Sequence, residues 1–374
     1  MLQIVDKLTY YWWVQLPLAL GRISKLFLTV MTDGLYLTVW PLWAAFLPIF
    51  SFGLGLLAGW FRFGGSELFS QSIGILFLAI ILGYISTQLG FLFVLGYAII
   101  DFFIYDNPVI RYTDFLTTVQ IRVALLLLYI ALLGLAVFVP LTVKLFRNQV
   151  SALFSRSGDL IFIIDSITGI VSAGLLTFIY VQAIPMLVRP LYTWQGQVPP
   201  INAIEFLQTS PLALATGAVF IVILRLFWEY GSTAVAPDVI ESYGDIIQDK
   251  VQPDLWEKLP QLVQLALRII LNIIILAGLI DSLINFFILL LALISLELIR
   301  HILPKLLPIW GTILTQVPEI IRLAIVFTAV FFINALFLEG RISGSSFTPL
   351  LWAFLIGYFL VALVFPTTPK EGVE

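Results

Sequence analysis

The chain has 374 residues, 61% of them hydrophobic and 11% charged, with a formal net charge of −3 and a mean hydropathy of +1.07. A soluble fold of this length cannot hide so much apolar surface, because soluble domains carry roughly 25% charged residues and much of any folded surface must face water. The absence of a basic tract offers nothing to nucleic acid, while zero cysteines and a single histidine, His301, exclude disulfides, thiol chemistry, Cys-ligated clusters and multi-histidine metal or haem sites, so no cofactor is expected.

Apolar runs such as Val123 to Val139 are too long for ordinary strands. The fold class expected is therefore all-α: a polytopic bundle of about ten membrane spans forming one integral membrane domain over 1–374. The spans read in chain order are 10–31, 35–61, 73–100, 121–143, 160–188, 211–228, 261–280, 283–300, 321–338 and 347–365.

The first segment opens on Tyr10, Tyr11, Trp12 and Trp13, an interfacial aromatic anchor. Arg22, Lys25, Thr29 and Thr32 share one helical face, so the segment either lies flat or spans with that face toward other helices; spanning is favoured. No small-residue cleavage pattern follows it, so it is expected to remain in the mature protein. The second segment is interrupted by Pro41 and Pro48 and carries Gly53, Gly55 and Gly59. Broken helices build transporter sites, which makes Pro48 a substrate-path candidate; small-residue helix packing is the blander and favoured reading. Gln88, beside Gly90 in the third segment, reads as an amide joining helices.

Asp165, about a turn and a half into the fifth segment, leads a small polar stripe through Thr168, Gly169, Ser172 and Ala173. That stripe either lines a solute or proton path or packs against a neighbouring helix, with packing favoured. Arg225, beside Trp228 near the end of the sixth segment, reads as a snorkelling anchor. The stretch 229–260 is expected to form an amphipathic helix starting at Pro237 and Asp238. Its apolar face is Val239, Ile240, Tyr243, Ile246 and Ile247, and its solvated acidic face is Asp238, Glu241, Asp245 and Asp249.

Arg268 and Asn272 share a face of the seventh segment. Arg268 is a candidate to pair with Asp165 or hold an anion, against the favoured alternative of snorkelling. Asp281 and Ser282 read as a tight turn, and Asn272, Asn285 and Asn334 as amides joining helices. The stretch 301–320, with Pro304, Pro308, Trp310 and Pro318, reads as an interfacial connector. The resemblance between 258–267 and 316–325 raises a repeat of two hairpins, 258–300 and 316–365, on few identities.

With ten spans, Lys7, Arg62, Lys144, Arg147, Arg156, Arg225, Lys250, Lys258, Arg268, Arg300, Lys305, Arg322 and Lys370 fall on one side, and Arg111, Arg122, Arg189 and Arg341 on the other. The richer side should be cytoplasmic, with both termini inside a bacterial inner membrane or a derived, thylakoid-type membrane. No His-Glu-x-x-His, Gly-x-Ser-x-Gly or Gly-Lys-Ser/Thr motif occurs, and an enzyme is not expected. Two functions remain: a transporter or channel-like permease for an unidentified solute, or a non-catalytic membrane subunit that scaffolds or anchors a complex. Besides the lipid bilayer, protein partners would dock on 229–260 or on lipid-facing helices.

Overall fold

The computed structural model describes residues 2–61, 73–104, 115–154, 160–194, 205, 207–251, 259–275, 287 and 289–298, with isolated positions beyond. Among them the chain is helical, without a strand. It divides into two compact units, Met1–Leu259 and Pro260–Glu374.

The first unit begins with α1 (Leu2–Tyr10), which runs through a π turn at Tyr11–Gln15 into α2 (Leu16–Gly21). The π turn has a local cause. Pro17 has no N–H to give the Trp13 carbonyl and its ring crowds that turn, so the helix widens just before it. The same device recurs where α7 (Phe115–Leu133) passes through a π turn at Gly134–Phe138 into α8 (Val139–Leu153); there Pro140 has no N–H for Ala136. After α2, α3 (Lys25–Thr32) starts at Ser24, whose side chain accepts the Leu26 N–H at 3.2 Å. Asp33 is extended, and Gly34 takes a left-handed φ of 98°. A 3₁₀ turn, Leu35–Val39, then leads into α4 (Pro41–Phe61). The segment 10–31 is thus not one crossing helix but two, broken at residues 22–24.

The segment 73–100 is also two helices, α5 (Ile73–Ile85) and α6 (Thr87–Ile104), broken at Ser86. They fold back on each other: a Cβ at Gly90 would lie 2.8 Å from the Gly83 Cα, and one on either glycine would strike the Ala136 carbonyl that Pro140 leaves free. Only glycine permits this approach.

Further helices of this unit are α9 (Leu160–Trp194), α10 (Pro211–Val235) and α11 (Pro237–Lys250). Helix directions follow from their contacts. Ser51 meets Leu89 and Gly59 meets Tyr97, so α4 and α6 run the same way. Phe77 meets Gly217 and Tyr84 meets Arg225, so α5 runs with α10. Tyr230 meets Asp165 and Val219 meets Gly174, so α9 opposes α10. Trp40, just before α4, donates to Ser232 at 3.0 Å, near the end of α10. Gathered at one end, called here the charged end, are the start of α4, the ends of α8 and α10, and the start of α9.

Among the described residues, four helices are long and apolar enough to cross a membrane: Pro41–Phe61, Leu125–Leu153, Ile161–Pro185 and Pro211–Val235. Helix α4 is inside-out by soluble standards. Its buried face is small (Ala44, Pro48, Ser51, Gly55 and Gly59) and its exposed face holds Leu42, Phe46, Ile49, Phe50, Leu57 and Trp60. That is the arrangement of a helix packing on neighbours while facing lipid. At the charged end, α11 lays Ile240, Tyr243 and Ile247 on the unit and leaves Asp238, Glu241, Asp245 and Asp249 exposed. Burial, with Asp6 and Tyr10 nearby, pushes the Tyr243 phenol up.

In the second unit, α12 (Gln261–Ile275) starts just after Pro260, and a helix covers Leu289–Leu298. Asp281, Ser282, Asn285, Asn334, the connector 301–320, the spans 321–338 and 347–365 and the repeat 258–300/316–365 lie largely or wholly outside the described residues.

Candidate functional site

The α5–α6 hairpin ends in Ser86, Thr87 and Gln88, all fully buried. A polar tip inside an apolar bundle must find partners, and the segment preceding α4 supplies them. The Ser86 hydroxyl donates to the Asp33 carbonyl at 2.6 Å, the Thr87 hydroxyl to the Val30 carbonyl at 2.8 Å, and the Gln88 amide to the Trp12 carbonyl at 2.8 Å. The Tyr36 hydroxyl donates to the Ile85 carbonyl at 2.6 Å. The Asp33 carboxylate accepts the first N–H of α6, that of Thr87, at 2.8 Å. A negative charge there suits the orphan donors and the dipole of that helix end.

Asp33 is itself fully enclosed and ion-paired. Arg225 grips it through Nη2–Oδ1 at 2.8 Å and Nη1–Oδ2 at 3.3 Å, and Lys144 Nζ lies 2.9 Å from Oδ1. Arg225 Nη1 also donates to the Tyr84 carbonyl at 3.2 Å, and its guanidinium lies over the Tyr36 ring at 5.7 Å. Its Nε sits 3.8 Å from Glu229 Oε2. Glu229 accepts from Arg147 at 3.1 Å, and Arg147 binds Asp165 through Nε at 3.1 Å and Nη2 at 2.5 Å. Asp165 also accepts from Ser151 at 3.1 Å and Tyr230 at 2.7 Å. Three acids (Asp33, Asp165, Glu229) and three cations (Lys144, Arg147, Arg225) thus form one continuous network joining α8, α9, α10 and the hairpin tip. Charges at this depth persist only when mutually paired.

A narrow crevice opens into this network between α5, α8 and α10. Its walls include Tyr84, Lys144, Arg147 and Arg225 with apolar Val143 and Val222. No group of three His, Cys, Asp or Glu fit to hold a metal occurs among the described residues.

The sequence-predicted residues distribute unevenly. Asp165 is in the network, paired with Arg147. Arg268 lies in the second unit, 3.9 Å from Glu297, and Asn272 is half-buried on α12. The stripe after Asp165 packs against other helices. A Cβ at Gly169 would lie 2.9 Å from Arg147 Cδ, Ser172 bonds back to the Thr168 carbonyl at 2.6 Å, and the Ala173 carbonyl accepts from the Tyr84 hydroxyl at 3.4 Å. Pro48 leaves the Ala44 carbonyl without an in-helix donor, and the Trp13 indole fills that place at 2.9 Å. Arg225 is not a snorkelling anchor, because its side chain is 4% exposed and bound to Asp33. Sequence reading missed Asp33, Glu229 and the reversal at Ser86 and Thr87, although it singled out Gln88 as an amide joining helices, which its bond to the Trp12 carbonyl makes it. The available signal for the tip was a Ser-Thr-Gln triplet between Gly83 and Gly90, inside an apolar stretch too long for one span.

No protein-family model, curated protein or solved structure matches the chain.

Proposed function

We propose that this protein is a membrane permease for a small solute, whose path runs past the α5–α6 tip and the charge network. The observation that carries this reading is a helix pair that turns back inside an apolar bundle and presents polar backbone to Asp33 and Arg225, two members of a network of six ionised groups. Non-helical backbone at membrane depth is tolerated where it is buried in protein or lines a cavity, and half-helices meeting near the bundle middle are a recurrent basis of solute sites. The charged end, with Lys144, Arg147, Arg225 and Lys250 against Arg122 at the other end, is the cytoplasmic one under the positive-inside rule. The host membrane on this reading is a bacterial inner membrane or one derived from it.

The test is swelling and tracer flux in proteoliposomes across a panel of small ions and polar solutes, comparing wild type with Asp165→Asn. Loss of a wild-type flux in the variant, with both proteins equally monodisperse, supports the reading. Absence of any wild-type flux removes it. The complete pairing of the three acids favours a second reading, a non-catalytic subunit using the network as an internal brace. Stoichiometric co-purification of a partner in mild detergent, without flux, would select that alternative.

A further inference from the structure

We infer that the space between Arg147 and Arg225 is a binding site for a small oxyanion, with Glu229 as its tethered competitor. The inference rests on the permease reading for its role, since it names the solute class, but the site is open to a binding measurement of its own.

Three observations converge. The crevice walls carry Lys144, Arg147 and Arg225 and, among the described residues, no acid; with a volume of about 10 Å³ the crevice has room for one water, so an anion's oxygens take the place that Glu229 vacates beside it. The three acids of the network are held unequally. Asp33 is fully enclosed with two cations and a backbone N–H, and Asp165 takes the Nε and Nη2 donors of Arg147 and two hydroxyls. Glu229, whose side chain is 29% exposed, accepts one hydrogen bond, from Arg147, and stands 3.8 Å from Arg225 Nε. That Nε is buried without a hydrogen-bond partner. A buried guanidinium donor left open is costly, and it sits where a second oxygen on the Glu229 side would complete a fork. The Lys144 side chain, 27% exposed, supplies further N–H donors beyond the one facing Asp33.

Charge counting gives the mechanism. With Glu229 in place the three cations are balanced. With Glu229 swung outward, where it already meets solvent, the site holds one excess positive charge. Arg147 and Arg225 then face each other with free donors. A carboxylate or phosphate oxygen pair suits that geometry, because guanidinium groups recognise such anions through two N–H donors at once. The anion enters as Glu229 leaves, so occupancy is competitive, and a monoanion keeps the network neutral in both states.

The ligand chemistry is an oxyanion, supplied by a free solute or by a lipid phosphate. The probe is ³³P-labelled orthophosphate binding to purified, delipidated protein in neutral detergent, for wild type, Glu229→Gln and Glu229→Gln/Lys144→Gln. Glu229→Gln should bind about tenfold more tightly than wild type, because a competing charge is gone, and adding Lys144→Gln should reverse most of that gain. Displacement of the label by phosphatidic acid but not phosphatidylcholine in mixed micelles would assign the site to a lipid headgroup; insensitivity to both would assign it to a free oxyanion. No saturable binding by either wild type or Glu229→Gln, with each monodisperse and thermally stable, overturns the inference. Flux of a cation or neutral solute without phosphate binding would sink this site and leave the permease standing. Phosphate binding without any flux would do the reverse.

Discussion

The Asp33 carboxylate accepts the Thr87 backbone N–H at 2.8 Å and in the same position binds Arg225 at 2.8 Å, 192 residues away in sequence. One side chain therefore ties a helix tip to the transverse charge network. Asp33→Asn keeps the shape but removes the charge, leaving Arg225 and Lys144 facing each other. Breaking a buried pair from one side costs about 3–5 kcal/mol, so the unfolding midpoint followed by tryptophan fluorescence should fall by about 10 °C. Removing one surplus cation as well, in Asp33→Asn/Lys144→Met, should recover part of that loss. A midpoint unchanged by Asp33→Asn would show that Asp33 does not hold the tip.

The hairpin depends on glycine at its crossing. A Cβ at Gly90 meets both the Gly83 Cα and the Ala136 carbonyl, whereas a Cβ at Gly53 meets nothing within 4 Å. Gly90→Ala should therefore destabilise by about 1–3 kcal/mol through overpacking. Gly53→Ala, in the same bundle and in mid-helix, should stabilise by about 0.5–1 kcal/mol. Opposite signs for two chemically identical substitutions, read by thermal denaturation, are the expected result; equal effects would place the crossing elsewhere.

Trp13 and Pro48 are coupled through a carbonyl that neither owns. Pro48 cannot donate to Ala44, and the Trp13 indole does so at 2.9 Å. Trp13→Phe leaves that buried carbonyl open, at about 1–3 kcal/mol. In a Pro48→Ala background the helix supplies its own N–H, and the same substitution should cost measurably less. A double-mutant cycle reads the difference directly; strict additivity would mean the indole bond contributes nothing.

Much of this architecture was legible because lipid imposes a simple rule. Composition alone predicts helices, and the spans read at 35–61, 121–143, 160–188 and 211–228 all fall on long helices. Hydropathy has no direction, however. The 73–100 stretch would run about 42 Å as one helix, and nothing in an apolar average reveals that the chain reverses at Ser86. The opening stretch 10–31 was greasy enough to suggest a crossing, yet it folds over the hairpin tip. Those two misreadings offset each other: one crossing too many before α4 and a missed reversal at Ser86 leave α7 to α10 with the same directions relative to one another as in the ten-span reading. Asp33 was invisible for a related reason. Thr32-Asp33-Gly34 reads as a surface turn, and only the tertiary fold brings it against Arg225, whose position near a helix end made snorkelling the natural reading.

That cancellation makes topology the most decisive measurement. A single span over 73–100 would put Phe61, at the end of α4, and Phe103, at the end of α6, on opposite faces of the membrane. The hairpin puts them on the same face, opposite Ser242 on α11. Both phenylalanines are well exposed, at 78% and 79%, and the chain has no native cysteine, so single cysteines at 61, 103 and 242 can be read without background. In sealed vesicles of one orientation, a membrane-impermeant maleimide should label Phe61→Cys and Phe103→Cys alike and spare Ser242→Cys, with the pattern inverted in the opposite orientation. Labelling of 61 and 103 from opposite sides would restore the single span. It would also remove Ser86 to Gln88 from the bundle interior, and with them the reason for Asp33, Arg225 and Lys144 to meet there.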